Sequence, residues 1–156
     1  MWSFPTCDFV SGQLVACDET SCDRFHEGSW KHFVNTRSKR RGHSSAVYGK
    51  RILLIGGFDA DQAERTEWST EWIPADGSPS QEGPFRTTHG LGHCTIQVAP
   101  DVVVVTGGYV KPQDRTQDYV TEFSLTEEVK ERPLARMNKA RFQHTCGVYQ
   151  EADGQQ

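Results

Sequence analysis

Two adjacent glycines end an apolar run at RILLIGGF, Arg51 to Phe58, and the same ending returns at VVVVTGGY, Val102 to Tyr109. This recurrence constrains the fold more than any other feature, because other landmarks travel with it. Fifteen residues beyond the first glycine of each pair stand Glu71-Trp72 and Glu122-Phe123, each preceded by threonine. Twenty-one residues after each aromatic comes a histidine, His93 and then His144. His43 precedes Gly56-Gly57 by 13 residues, and His93 precedes Gly107-Gly108 by 14. Between each glycine pair and its aromatic lies an acid-Arg-Thr triplet, Glu64-Arg65-Thr66 and Asp114-Arg115-Thr116. Landmarks that keep register over about 50 residues mark a structural repeat.

Each unit reads as short strands. HSSAVYGKRILLIGG gives a strand, a tight Gly-Lys turn and a second strand that stops at the glycines. Ile52–Ile55 and Val102–Val105 are apolar on both faces, as strands covered on both sides must be. Third strands are expected around 67–73 and 119–125, with weaker fourth strands at SWKHFV and near 129–134. Nothing shows the 3.6-residue period of an amphipathic helix. Four strands per unit at this period describe a propeller blade. A phosphate loop would need a helix after the glycines, and FDADQAERTEW offers none, so the glycines are read as structural.

These residues resemble the kelch repeat. Arg40 leads to His43 and Arg141 to His144 in the family's Arg-x-x-His spacing, with Leu134 and Met137 before Arg141 and Trp30 ahead of His43. His43, Gly56, Gly57, Trp72, His93, Gly107, Gly108, Phe123 and His144 serve as repeat markers. The pattern departs at FRTTHGLGH, where Gly90 replaces the arginine, and in the first unit, where Cys17-Asp18 replaces the glycines. A Trp-Asp repeat fits less well, since its period is shorter and no Trp-Asp closes a unit here.

The resemblance implies an all-β fold of kelch-type β-propeller blades, each a four-stranded antiparallel sheet, in the galactose-oxidase-like group. Its units would be a partial first blade at 1–42, repeats at 43–92 and 93–143, and the first strand of a further blade with a tail at 144–156. About three blades make an incomplete ring, since propellers close at 4–8. The exposed flanks then call for self-association or for the remaining blades. The chain is accordingly expected to be a fragment of a larger propeller, or an arc that partners complete.

Composition narrows the function. The 156 residues, 35% hydrophobic and with 4 Trp, 8 Phe and 4 Tyr, suit a packed domain. A net charge of −4 argues against a dedicated nucleic-acid binder, which needs a basic face. No run approaches the ~20 apolar residues of a membrane span, so no membrane insertion is expected. MWSFPTCDFVSG has no basic segment followed by an apolar one, so no signal peptide is expected.

The five cysteines leave at least one unpaired within the chain. Cys7, Cys94 and Cys146 read as small core residues at matching places, kept apart by a blade's spacing and so unbridged. Cys17 and Cys22 bracket a short turn and are candidates for a disulfide, which tilts the location toward an oxidising, extracellular setting. The three repeat histidines read as hydrogen-bonding groups at blade junctions, with no metal and no cofactor expected. Asp59, Asp61, Glu64, Arg65, Asp114 and Arg115 lie in the longest loops, where a rigid scaffold displays its contacts. Arg65 and Arg115 could each bind a partner's carboxylate, or merely pair with their acidic neighbours.

No GxSxG, HExxH or other nucleophile constellation is present. The expected role is therefore a non-enzymatic interaction module with a protein or peptide partner. The alternative, implied by the fold group, is part of an oxidase or sugar-processing propeller, whose copper site would draw on tyrosines such as Tyr48 and Tyr149.

Overall fold

The computed structural model describes residues 5–59, 61, 68–110, 113–126 and 128–148. They form an all-β molecule of fourteen strands without an α-helix, most of them in three four-stranded antiparallel sheets. No helix among them is long and apolar enough to cross a membrane.

The first sheet runs β1 (Thr6–Val10), β2 (Gln13–Cys17), β3 (Ser21–His26) and β4 (Ser29–Asn35) in sequence order. The second repeats this with β5 (Ser44–Tyr48), β6 (Arg51–Ile55), β7 (Ser69–Pro74) and β8 (Gln81–Arg86). In the third sheet, β9 (Cys94–Ala99) and β10 (Val102–Thr106) pair with β13 (Val120–Ser124) and β14 (Lys130–Pro133). A two-stranded ribbon, β11 (Tyr109–Val110) with β12 (Arg115–Thr116), projects from the loop between β10 and β13. Residues 144–148 adopt no strand.

The sheets stack face to face, with β5 contacting both β1 and β9. Two cores result. Between the first and second sheets, Val10, Val15, Cys17, Cys22 and Val34 meet Ile52, Leu54 and Ile73. Between the second and third, Ala46, Leu53, Ile55 and Trp72 meet Val103, Val105, Phe123 and Leu125. Every residue of β6 after Arg51 is buried because both its faces are covered. β10 is equally apolar, yet its burial alternates, since only the Val103 and Val105 face meets a neighbouring sheet.

The repeat landmarks need one correction. Leu53 pairs with Trp72, whereas Val104, at the same distance before its glycines, pairs with Glu122. The pairing of the third sheet is slipped by one residue, which flips every side chain of β13 to the other face. Trp72 and Phe123 are therefore not equivalent. They lie on facing sheets and enter the same core, where Phe85 stacks on Phe123 with centroids 4.1 Å apart.

Two disulfides are present. Cys17 and Cys22 face each other across β2 and β3, with Cα atoms 4.0 Å apart. Cys94 and Cys146 are also bridged, at 6.1 Å between Cα atoms, so the expectation that a repeat's spacing separates them fails. They occupy the first and second places after their histidines, and those two places touch between successive sheets. Ser44 and Thr95 make the same contact as a hydrogen bond. Cys7 is not a core residue either: its thiol is exposed on the outer face of the first sheet.

Candidate functional site

The double glycines pack two loops at once. Gly56 and Gly107 have φ of 58° and 65°, Gly57 and Gly108 of 112° and 110°, all in the left-handed region that side chains avoid. A β-carbon on Gly56 would lie 2.9 Å from Cε1 of His93, and one on Gly107 would lie 2.7 Å from Cε1 of His144. The first glycine thus makes room for the histidine of the following unit. The second makes room for the loop that leads into its own sheet, where β-carbons would lie 3.0 Å from Arg40 Cβ and 3.1 Å from the Gly90 amide nitrogen.

Those histidines form the seams between sheets. The His43 Nδ1–H donates to the Arg40 carbonyl at 2.9 Å, and that of His93 to the Gly90 carbonyl at 2.5 Å. Their Nε2 atoms accept from the hydroxyls of Thr6 at 3.3 Å and Ser44 at 2.7 Å, each on the preceding inner strand. His144 takes a hydroxyl from Thr106 at 2.8 Å, and its Nδ1 is buried without a partner. Burial holds His43 down at about 4 and His93 at about 3, and it lowers His144 as well. All three are neutral near pH 7.

A backbone chain reinforces the seams: the Gly92 amide donates to the Gly42 carbonyl at 2.7 Å, and the Gln143 amide to the Gly92 carbonyl at 2.6 Å. Gly42, Gly92, Gln143 and the three histidines line one cavity of about 390 Å³. The structure thus brings His43, His93 and His144 together. Both ring nitrogens of His43 and His93 are already engaged, so a metal would have to displace a hydroxyl from each. Among the described residues no cluster of ligating side chains has metal spacing.

The missing arginine at position 90 has a structural cause. A β-carbon on Gly90 would sit 2.0 Å from the Tyr109 carbonyl oxygen, so only glycine fits. His89 takes over the role instead. In the first seam the Arg40 guanidinium donates to the carbonyls of Gly56 and Ser69, at 3.1 and 3.0 Å, and to Glu71 Oε2 at 2.9 Å. In the second, His89 Nδ1–H donates to the Gly107 carbonyl at 2.8 Å, and its Nε2 accepts from Thr121 at 2.9 Å. Sequence reasoning missed His89, although its position beside the irregular Gly90 was the available signal.

The loop residues lie elsewhere. Glu64 and Arg65 fall outside the described residues. Asp61 pairs with Lys39, which ties the loop to the segment joining the first two sheets. Asp59 accepts the Asp61 amide at 3.0 Å in a local turn. Asp114 accepts the Tyr109 hydroxyl and does not pair with Arg115. Arg115 is exposed and makes no ion pair among the described residues. Nearby, a cleft of about 450 Å³ opens between the second sheet and the β11–β12 ribbon, lined by Trp68, Arg86, Thr88, Val110, Gln113 and Tyr119. Arg86 is likewise exposed and without an ion pair among the described residues. The cleft thus sets the exposed Arg86 beside Trp68 and Tyr119, while Arg115, outside the lining, pairs along the ribbon with the lining residue Val110.

Comparison with known proteins finds a likeness in fold only. No family model matches the chain, and no curated protein matches it. Among solved structures the chain is similar to that of YjhT, with a TM-score of 0.73 at 13% identity over 88% of this chain and 53% of that one. This chain spans about half the length of the structure it matches, and at such identity the likeness is one of fold alone.

Proposed function

We propose that the three sheets are successive blades of a kelch-type β-propeller and that the protein is a non-enzymatic interaction module. The carrying observation is the cleft beside the β11–β12 ribbon, lined by the exposed Arg86, with the exposed Arg115 paired to its lining residue Val110 and neither arginine in an ion pair among the described residues. The stacked four-stranded sheets and the likeness of fold support the scaffold half of this reading. A stack of sheets that displays its loops suits binding better than chemistry. The partner surface is an acidic, extended protein segment, because each exposed guanidinium binds a carboxylate through two parallel N–H···O bonds.

The test uses the native chain and its Arg115→Glu and Arg86→Glu variants as bait, with cross-linking and mass spectrometry of bound proteins. Cross-links should map to the cleft, and each charge reversal should weaken capture of the same partner by about tenfold or more. Retention of partners by both variants at native strength would remove the cleft from consideration. Stoichiometric copper with turnover of a sugar alcohol would replace the binding reading by an oxidase.

A further inference from the structure

The outer face of the first sheet is the counterpart of a face that is covered elsewhere in the molecule. By pairing position, Phe9, Leu14 and Phe25 correspond to Val47, Ile52 and Ile73. In the second sheet those residues pack beneath the first sheet, with Ile52 and Ile73 fully buried. In the first sheet they face solvent, Phe9 69%, Phe25 45% and Leu14 36% exposed. Trp30 adds to the patch, edge-on to Phe25 at 5.5 Å. The seam logic extends to Cys7. Thr6, Ser44 and Cys94 are the first residues of the inner strands, and Cys7, Ser45 and Thr95 the second. Across a seam, the first place of one sheet touches the second place of the next, as Ser44 touches Thr95 and Cys94 is bonded to Cys146. Cys7 is a second-place residue that faces no first-place residue among the described ones, and its thiol is free.

We infer that this face docks on the third sheet of a second copy of the chain, with Cys7 taking the place of Cys146 opposite Cys94. The inference rests on the propeller reading. Three observations select a second copy. Among the described residues no sheet covers the matching face of the third sheet, where the half-buried Ile96 and Val104 stand at the places that Ala46 and Leu53 hold under the third sheet. Thr6-Cys7 repeats the Thr145-Cys146 pair that sits at that seam. The chain spans about half of the matching fold, so two copies supply one full span.

Residues 144–148 hold the place that β1 of the second copy would take, without strand pairing of their own. The exchange is balanced. The Cys7 thiolate attacks Sγ of Cys94, the Cys7–Cys94 bond forms, the Cys94–Cys146 bond breaks, and Cys146 leaves as a thiolate that takes up the proton lost by Cys7. One disulfide stands before and after, so no oxidant is consumed.

The experiment is light scattering on the unreduced full chain, with non-reducing peptide mapping after alkylation. The expected result is a particle of twice the chain mass that contains an intermolecular Cys7–Cys94 peptide and alkylated Cys146. Cys7→Ser should remove the covalent link, and Phe25→Asp should shift the assembly about tenfold toward monomer by placing a charge in the interface. A monomer with alkylated Cys7 and an intact Cys94–Cys146 bridge overturns the docking while leaving the stacked seams in place. Cys7 bonded to a different protein overturns the second copy as occupant. Cys94 and Cys146 both found as alkylated thiols overturn the exchange, since no disulfide then stands there for Cys7 to attack, and Cys94 bonded to Cys17 or Cys22 would strike the stacked arrangement itself, and with it the propeller reading.

Discussion

Arg40 and Glu71 are each only 1% exposed, and they bury opposite charges where the second seam buries none. Glu71 also accepts the Arg37 amide at 2.5 Å, so both carboxylate oxygens are engaged. Removal of one partner leaves a buried charge without compensation, which costs about 3–5 kcal/mol. Arg40→Met should therefore lower the urea midpoint sharply, while adding Glu71→Leu should recover part of the loss by removing the unpaired carboxylate, the remainder coming from the Arg37 amide and the Gly56 and Ser69 carbonyls left without these partners. His89 and Thr121 show that a neutral pair can hold the equivalent place. Equal loss in the single and double variants would mean that the unpaired Glu71 carboxylate is not what destabilises the single variant. The histidines make a separate prediction about pH. Burial depresses His43 to about 4 and His93 to about 3, against an unfolded value of about 6.5. Between these limits the unfolded chain binds protons that the folded chain refuses, so stability is full above about pH 6.5 and falls as pH drops. Two such groups remove about 4 kcal/mol between pH 7 and pH 5. Denaturant titrations across that range should show the decline, and His93→Gln should reduce it by about half, His43 supplying the rest. Parallel profiles for both proteins would refute this origin.

At the scale of strands and turns, the glycines can be separated by what surrounds them. Gly49 and Gly107 share left-handed backbones, with φ of 58° and 65°. A β-carbon on Gly49 meets nothing within 4 Å, while one on Gly107 would lie 2.4 Å from the Arg141 carbonyl oxygen. Gly49→Ala should cost only the backbone term, about 1 kcal/mol. Gly107→Ala should cost about 3 kcal/mol or more, because backbone cannot give way as a flexible side chain can. Equal losses in thermal unfolding would show that conformation alone demands glycine at both sites. The sequence carried much of this level in plain view: the strand–turn–strand ending in Gly-Gly, and the following histidine at fixed spacing, are one packing unit seen from two ends. What it concealed were one-residue offsets. The third sheet pairs one residue out of step, so Glu122-Phe123 imitates Glu71-Trp72 in the chain while its side chains point the opposite way. Cys94 and Cys146 differ by one place within their units, which turns a separation of one repeat into contact across a seam. Spacing to the nearest residue cannot reveal such offsets, because strand register depends on loops whose lengths differ. Arg115 was visible as a loop residue, but Arg86, at the end of β8, was not singled out, because the cleft it lines arises only when the β11–β12 ribbon folds against the second sheet.

For the whole molecule, stacking makes stability uneven. The second sheet is covered on both faces, with Ile52, Leu53, Leu54 and Ile55 fully buried, whereas the first and third sheets each bury one face. Units that contact only their neighbours open from the ends, since a terminal unit gives up one interface and the central unit two. Burial of a Leu, Ile or Phe side chain contributes about 1.5–3 kcal/mol, so the extra interface on the second sheet outweighs any difference in strand pairing. In a single chain, hydrogen exchange should therefore be slowest at the amides of β6, faster in β10 and fastest in β1 and β2. The Cys94–Cys146 bridge lowers the entropy gained when the third sheet opens, and a closed loop of that length contributes about 4 kcal/mol. Reduction should accordingly bring exchange in the third sheet toward that of the first while β6 keeps its lead. Closure into a ring would erase the gradient, because each sheet would then have two covered faces. A flat exchange profile that becomes graded on dilution would show that the ends are joined by assembly. A profile flat at every dilution would contradict stacking as the source of the stability.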